Sequence, residues 1–201
     1  MGEDKLNRLE EFKGKYKKIF VVGAGSSIDL LPDKVFNSSS FLFIAINYSY
    51  IYMNDSSNYV TFCSDFNFDS FMEMNKPYNL PEPKNFFTEE DFNTSEEIDN
   101  KENTLISSIT SGLRALDIAI GLQPENIFVI GLDYNGLHGN KIQAIFPKIL
   151  NYDLPYVQDI LKREVEQVKQ LKEKVNIINL SPTSLIPQDM TVEDFVNGYI
   201  S

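Results

Sequence analysis

The feature that most constrains this chain is a short run, Lys18–Val22, whose last four residues are Ile-Phe-Val-Val and which ends in Gly23-Ala24-Gly25-Ser26-Ser27. A strand with one wet face alternates apolar and polar residues, whereas an unbroken apolar run has both faces covered. Three more runs of this kind follow. Phe41–Ile46 stops at Asn47, Tyr59–Cys63 stops at Ser64-Asp65, and Ile127–Ile130 stops at Gly131-Leu132-Asp133-Tyr134. Helical patterns separate them. Leu113, Leu116, Ala119 and Ile120 line one face of a helix closed by Gly121. Pro155–Lys174 carries Val157, Ile160, Leu161, Val165, Val168 and Leu171 at the helical period, with Pro155 suited to the first turn.

Lesser elements complete the pattern. Lys5–Tyr16 reads as a charged helix with Leu6, Leu9 and Phe12 on one stripe, and Asp29–Val35 as a short helix or turn. Asn176–Leu180 is a last strand, and Thr191-Val192-Glu193-Asp194 begins a capped terminal helix. Strands alternating with helices require a parallel sheet joined by right-handed crossovers. The expected fold is therefore α/β, a Rossmann-like parallel sheet flanked by helices, in a single domain over residues 1–201. The stretch 66–103 interrupts the pattern. It is rich in Asn, Asp, Glu and Phe, carries Pro77, Pro81 and Pro83, and shows only a weak strand or loop around Asn85–Thr88. It reads as a variable connection or lid over the carboxyl edge of the sheet, or equally as a surface excursion without a role.

Composition narrows the partners. The net charge of −11, from 29 acidic against 18 basic residues, argues against a footprint on a nucleic-acid backbone but leaves room for a small phosphorylated ligand. No run approaches the roughly 18–20 apolar residues that span a bilayer, and Met1–Lys18 lacks the apolar core of a signal peptide. Cys63, the only cysteine, has no partner for an intrachain disulfide, so a reducing, cytoplasmic setting is expected and the thiol reads as buried and inert. No Cys/His cluster has the spacing of a structural metal site. The oligomeric state is left open.

Ligands on parallel sheets bind beyond the carboxyl ends of the strands, so the residues that end strands are the candidates. Gly23, Gly25, Ser26 and Ser27 offer backbone and hydroxyl donors where a strand turns into a helix, a setting that suits a phosphate or simply a tight turn. The dinucleotide fingerprint fails, because its third glycine falls at Ile28 and the next strand ends in Asn47 rather than an acid; a Walker-type Gly-Lys-Ser/Thr is absent too. Thr110, Ser111 and Gly112 open a helix and can cap it or bind an anion. Arg114 either pairs with Asp117 or reaches a phosphate. Asp133 can accept from a hydroxyl or hold a cation, as can Asp65. Tyr134, Tyr152 and Tyr156 are donors to phosphate oxygens or plain packing residues. His138, the only histidine, lies in Gly136-Leu137-His138-Gly139-Asn140 and is either a general base or a solvated loop residue.

One ordered series of motifs points further. Val21-Val22-Gly23-Ala24-Gly25-Ser26-Ser27, Ile46-Asn47, Ile109-Thr110-Ser111-Gly112, Ile130-Gly131-Leu132-Asp133-Tyr134 and Leu180-Ser181-Pro182-Thr183-Ser184-Leu185 follow one another along most of the chain. The series resembles the bacterial CMP-sialic-acid-dependent sialyltransferases and the wider group of motility accessory factors and MptE-like pterin diphosphokinases. The resemblance implies that Gly23, Gly25, Ser26, Thr110, Ser111 and Gly112 surround a nucleotide phosphate and that Asn47 contacts the donor. Two departures stand out. Ala24 replaces an Asn usual in the glycine turn, and the lid histidine that serves such transferases as base has no counterpart in 140–155, with His138 lying earlier.

Taken together, these expectations describe a glycosyltransferase-like enzyme that uses a nucleotide-activated sugar, such as a CMP-nonulosonate, and a glycan or small-molecule acceptor. Asn47 and Asp133 would orient the sugar, and no metal is required if amides and hydroxyls carry the phosphate charge. The alternatives are an MptE-like diphosphokinase that transfers diphosphate from ATP with Mg²⁺ on Asp65 and Asp133, and a non-catalytic nucleotide-binding accessory protein.

Overall fold

A computed structural model describes residues 9–54, 57–64, 66–88, 91, 110–146 and 155–200. Six parallel strands form its centre: β1 (Lys18–Val22), β2 (Leu42–Ile46), β3 (Tyr59–Cys63), β4 (Phe86–Thr88), β5 (Asn126–Ile130) and β6 (Ile177–Asn179). They lie in the order β4-β3-β2-β1-β5-β6. The chain thus starts at the middle of the sheet, runs outward to one edge, and returns to continue on the other side of β1. Strand order reverses between β1 and β5, and such a reversal opens a crevice at the carboxyl ends of the two strands.

The expected Rossmann-like α/β architecture is present. Helices α1 (Asp33–Phe36), α2 (Phe68–Asn75), α3 (Ser111–Gly121), α4 (Asn140–Ile145), α5 (Pro155–Lys172) and α6 (Val192–Tyr199) accompany the strands. The stretch Asp29–Val35 resolves into a 3-10 turn, Ser26–Leu30, and the one-turn α1. The expected helix Lys5–Tyr16 lies partly outside the described residues; its described end at 9–10 is helical and passes into a turn over 11–15.

Pleating divides the core in two. Ile19, Val21, Ile44, Val60 and Ile127 face α3 and α5, whose Leu113, Leu116, Val165 and Val168 are buried against them. Phe20, Phe41, Phe43 and Phe128 face the opposite layer with Phe195 of α6. Rings there pack edge-on, as Phe20 does on Phe195 with centroids 5.4 Å apart at 89°, an arrangement favoured by aromatic quadrupoles. The inner strands are fully buried, which is why their sequences lack alternation. Cys63 is buried in β3, as expected.

The stretch 66–103 contributes structure in its described part. Asn67 caps α2 by accepting from the Ser70 amide at 2.9 Å, and Phe86–Thr88 extends the sheet beside β3. Among the described residues no helix is long and apolar enough to cross a membrane.

Candidate functional site

The ends of β1 and β5 meet closely enough to exclude side chains. Gly131 has φ of +74°, and a Cβ there would lie 2.4 Å from the Gly23 carbonyl oxygen, so only glycine fits. From this crossing the turn after β1 is held by backbone bonds within the protein. The amides of Gly23 and Gly25 donate to Ile130 O and Gly131 O, each at 2.8 Å, and Ser26 donates to Leu137 O at 3.0 Å. Gly139 donates to Ala24 O at 3.0 Å, so the loop carrying His138 runs antiparallel along the turn. In this state most of the donors that the turn offers to a phosphate are engaged by the protein itself.

Asp133 anchors the same turn. It is 2% exposed. Its Oδ2 accepts from the Ser27 amide at 2.8 Å and Ser26 Oγ at 3.2 Å, while its Oδ1 accepts from Ser27 Oγ at 2.5 Å and from Ser181 Oγ. Ser27 Oγ in turn accepts from the Gly131 amide at 2.9 Å. One carboxylate therefore joins the segments that follow β1, β5 and β6. Ser181, part of the motif series, takes its place in this bracket.

On the other side of β1, β2 ends in Asn47 with φ of +51°. Asparagine tolerates the left-handed region better than most residues, yet such a conformation at a strand end is uncommon. Its Oδ1 is buried and has no hydrogen-bond partner among the described residues. A buried amide oxygen left unpaired is unfavourable by about 1–3 kcal/mol. Tyr134, in the loop four residues beyond β5, also has a positive φ, +57°. For a bulky side chain that is a genuine outlier. Strained residues thus flank the switch point on both sides, where functional strain concentrates.

The Thr110-Ser111-Gly112 block sits at the start of α3. Thr110 caps the helix, its Oγ1 accepting from the Leu113 amide at 3.4 Å, and Ser111 pairs with Ser64 at the end of β3. Arg114 pairs with Asp117 at 3.0 Å, the first of its two expected partners. Burial raises the Asp117 carboxyl from its usual range, opposed by Arg114. Asp65 and Tyr152 lie outside the described residues. His138 is half-buried; burial lowers its imidazole below the ordinary 6.5, and a hydrogen bond with the Ala24 backbone opposes that shift.

One site residue was not foreseen. Glu164, on α5, is 2% exposed. Its Oε1 accepts from Thr110 Oγ1 at 2.5 Å and from Tyr134 Oη at 3.0 Å. The signal was present in the sequence, since Glu164 falls on the apolar stripe of α5 between Leu161 and Val168. No group of three or more His, Cys, Asp or Glu side chains that could hold a metal occurs among the described residues.

No protein-family model matches the chain, and no curated protein matches it. Solved structures match in general chain path. The monofunctional α-2,3-sialyltransferase Cst-I from Campylobacter jejuni is 20% identical, with 89% of this chain and 82% of that chain covered and a TM-score of 0.47. The sialyltransferase CstII from Campylobacter jejuni, in complex with cytidine-5'-monophosphate, is 16% identical over 88% of this chain and 86% of that one, with a TM-score of 0.46.

Proposed function

We propose that this chain is a glycosyltransferase-like enzyme that binds a nucleotide-activated sugar at the carboxyl edge of the sheet, over the switch point between β1 and β5. The observation that carries the reading is Asn47, held in the left-handed region at the end of β2 with a buried Oδ1 that lacks a partner among the described residues. A strained side chain with an unmatched acceptor suits the hydroxyl of a ribose or the amino group of a base. The motif series through Gly23–Ser27, Thr110–Gly112 and Gly131–Tyr134 favours a CMP-linked sugar as donor and a glycan or small molecule as acceptor.

On this reading the nucleotide phosphate replaces the Leu137 carbonyl on the Ser26 amide, so the 135–139 loop lifts from the turn as ligand enters. Asp133 contributes by fixing the turn, and Ser26, Thr110 and Ser111 lie around the departing phosphate. His138, carried on the moving loop and neutral near pH 7, is the general base toward an acceptor hydroxyl. The diphosphokinase alternative gains nothing from the described residues, because Asp133, one of the acids it needs for Mg²⁺, is engaged by serines. Thermal unfolding with CMP, UMP, GDP and ATP tests the proposal. A nucleotide at 100 times its dissociation constant stabilises by about 2.7 kcal/mol, and CMP is expected to give the largest shift. If no nucleotide moves the melting temperature, the reading fails.

A further inference from the structure

Glu164 is an expensive residue to keep where it is. A leucine or methionine in the stripe of α5 would pack without desolvating a carboxyl group, and replacing buried ionic groups by apolar ones is often neutral or stabilising. The chain instead builds around it. Gly112 leaves room for the carboxyl: a Cβ there would lie 2.8 Å from Glu164 Oε1. Thr110 Oγ1 and Tyr134 Oη both donate to that same oxygen. Oε2 is buried with no partner among the described residues.

The hydroxyls concerned are those that a nucleotide phosphate at this edge would need. A hydroxyl has one proton to give, so Thr110 and Tyr134 cannot donate to Glu164 and to an anion at once. An ionised Glu164 also repels a phosphate brought beside it, whereas a protonated one does not.

We propose that Glu164 is a positioning residue that holds the Thr110 and Tyr134 hydroxyls in the unliganded protein, and that a phosphate-bearing ligand takes these donors from it as Glu164 gains one proton from solvent. The inference rests on the nucleotide reading of this edge given above. Burial already raises the Glu164 carboxyl above its ordinary 4.5, and the Thr110 and Tyr134 hydrogen bonds, with the nearby Leu113 amide, oppose that rise; losing the two hydroxyls to the ligand lifts it further. Tyr134 is itself raised well above 10.0, by burial and by Glu164, so it stays a donor throughout. The other charged groups on α3 are Arg114 and Asp117, which pair with each other. On α5, the neighbouring Lys162, Arg163 and Glu166 are exposed.

The sign follows from linkage. If binding takes up a proton, affinity falls as pH rises, by at most about tenfold per pH unit for one proton. Calorimetric titration of CMP into the wild-type protein and into Glu164→Gln between pH 5.5 and 8.5 reads this directly. Ionisation of the CMP phosphate is common to both proteins, so the difference between the curves reports Glu164. The expected result is a steeper loss of affinity with pH in the wild type than in Glu164→Gln. Titration of the wild type in buffers of different ionisation enthalpy gives the proton uptake without the variant, and uptake beyond that of CMP itself is expected. Parallel curves, or a Glu164→Gln defect equal at every pH, or no such extra uptake, would overturn the coupling while leaving the nucleotide site standing. A wild-type protein that binds CMP at no pH would overturn both.

Discussion

Asp133→Asn separates a carboxylate that holds the turn from one that acts on substrate. Asparagine keeps the volume and one acceptor oxygen, which can stay opposite the Ser27 amide now at 2.8 Å. The amide nitrogen then replaces Oδ1, where the Ser27 and Ser181 hydroxyls donate. Both must rotate, and Ser27 Oγ must still accept from the Gly131 amide. Hydrogen bonds to a charged group contribute about 1.5–3 kcal/mol each, against about 1 for neutral ones. Weakening two of them by roughly 1–2 kcal/mol apiece gives a loss of about 3 kcal/mol. For a domain of this size that lowers the melting temperature by about 6–12 °C. Circular dichroism through a thermal ramp measures it, and hydrogen exchange should accelerate at the Ser27 and Gly131 amides. A variant that melts within 2 °C of the wild type, yet loses catalysis, would refute the bracket and assign the carboxylate to chemistry.

Gly131→Ala is expected to cost about 3 kcal/mol or more, read as a lower melting temperature, because it combines a positive φ with a Cβ 2.4 Å from the Gly23 oxygen. Asn47→Gly should leave the melting temperature unchanged or slightly raised, since glycine relaxes the left-handed backbone, while CMP affinity falls at least about tenfold by calorimetry. His138→Ala should cut transfer by about 10²–10⁴-fold with nucleotide affinity nearly intact. Burial lowers the imidazole, so the folded state favours the neutral ring; the associated stability is fully present above pH 6.5 and is lost as pH falls from there through the lowered folded-state value. Activity should decline as pH falls through that lowered value, below 6.5, and activity of the alanine variant within a few-fold of wild type removes the base role.

The inner sheet was legible because its chemistry is local. β1, β2, β3 and β5 are apolar runs whose buried faces leave no choice of residue, and each stops at a glycine or polar residue that marks the crevice. One edge strand was fainter: Phe86–Thr88, three residues long, read only as a weak strand or loop, whereas the equally short Ile177–Asn179 falls inside the expected strand Asn176–Leu180. Helix α2 lay hidden among the prolines and asparagines of 66–103, although Asn67 is a cap of the usual kind. The site was legible as positions and less so as roles. Asp133, Ser27 and Ser181 are far apart in sequence, and only the sheet order brings them together. Glu164 was missed for a related reason: glutamate is a good helix former, and its place on the apolar stripe gains meaning only when Thr110 and Tyr134 are seen beside it.

The central claim is that a nucleotide binds over the carboxyl ends of β1, β2 and β5. Titration of ¹⁵N-labelled protein with CMP, followed by amide chemical-shift mapping, tests it most directly. The largest perturbations are expected at Ala24–Ser27, Asn47, Ser111–Leu113 and Leu137–Gly139, with the Ser26 amide changing partner from Leu137. Perturbations confined to the opposite end of the sheet, around Lys17 and Glu125, or none at saturating CMP, would contradict it.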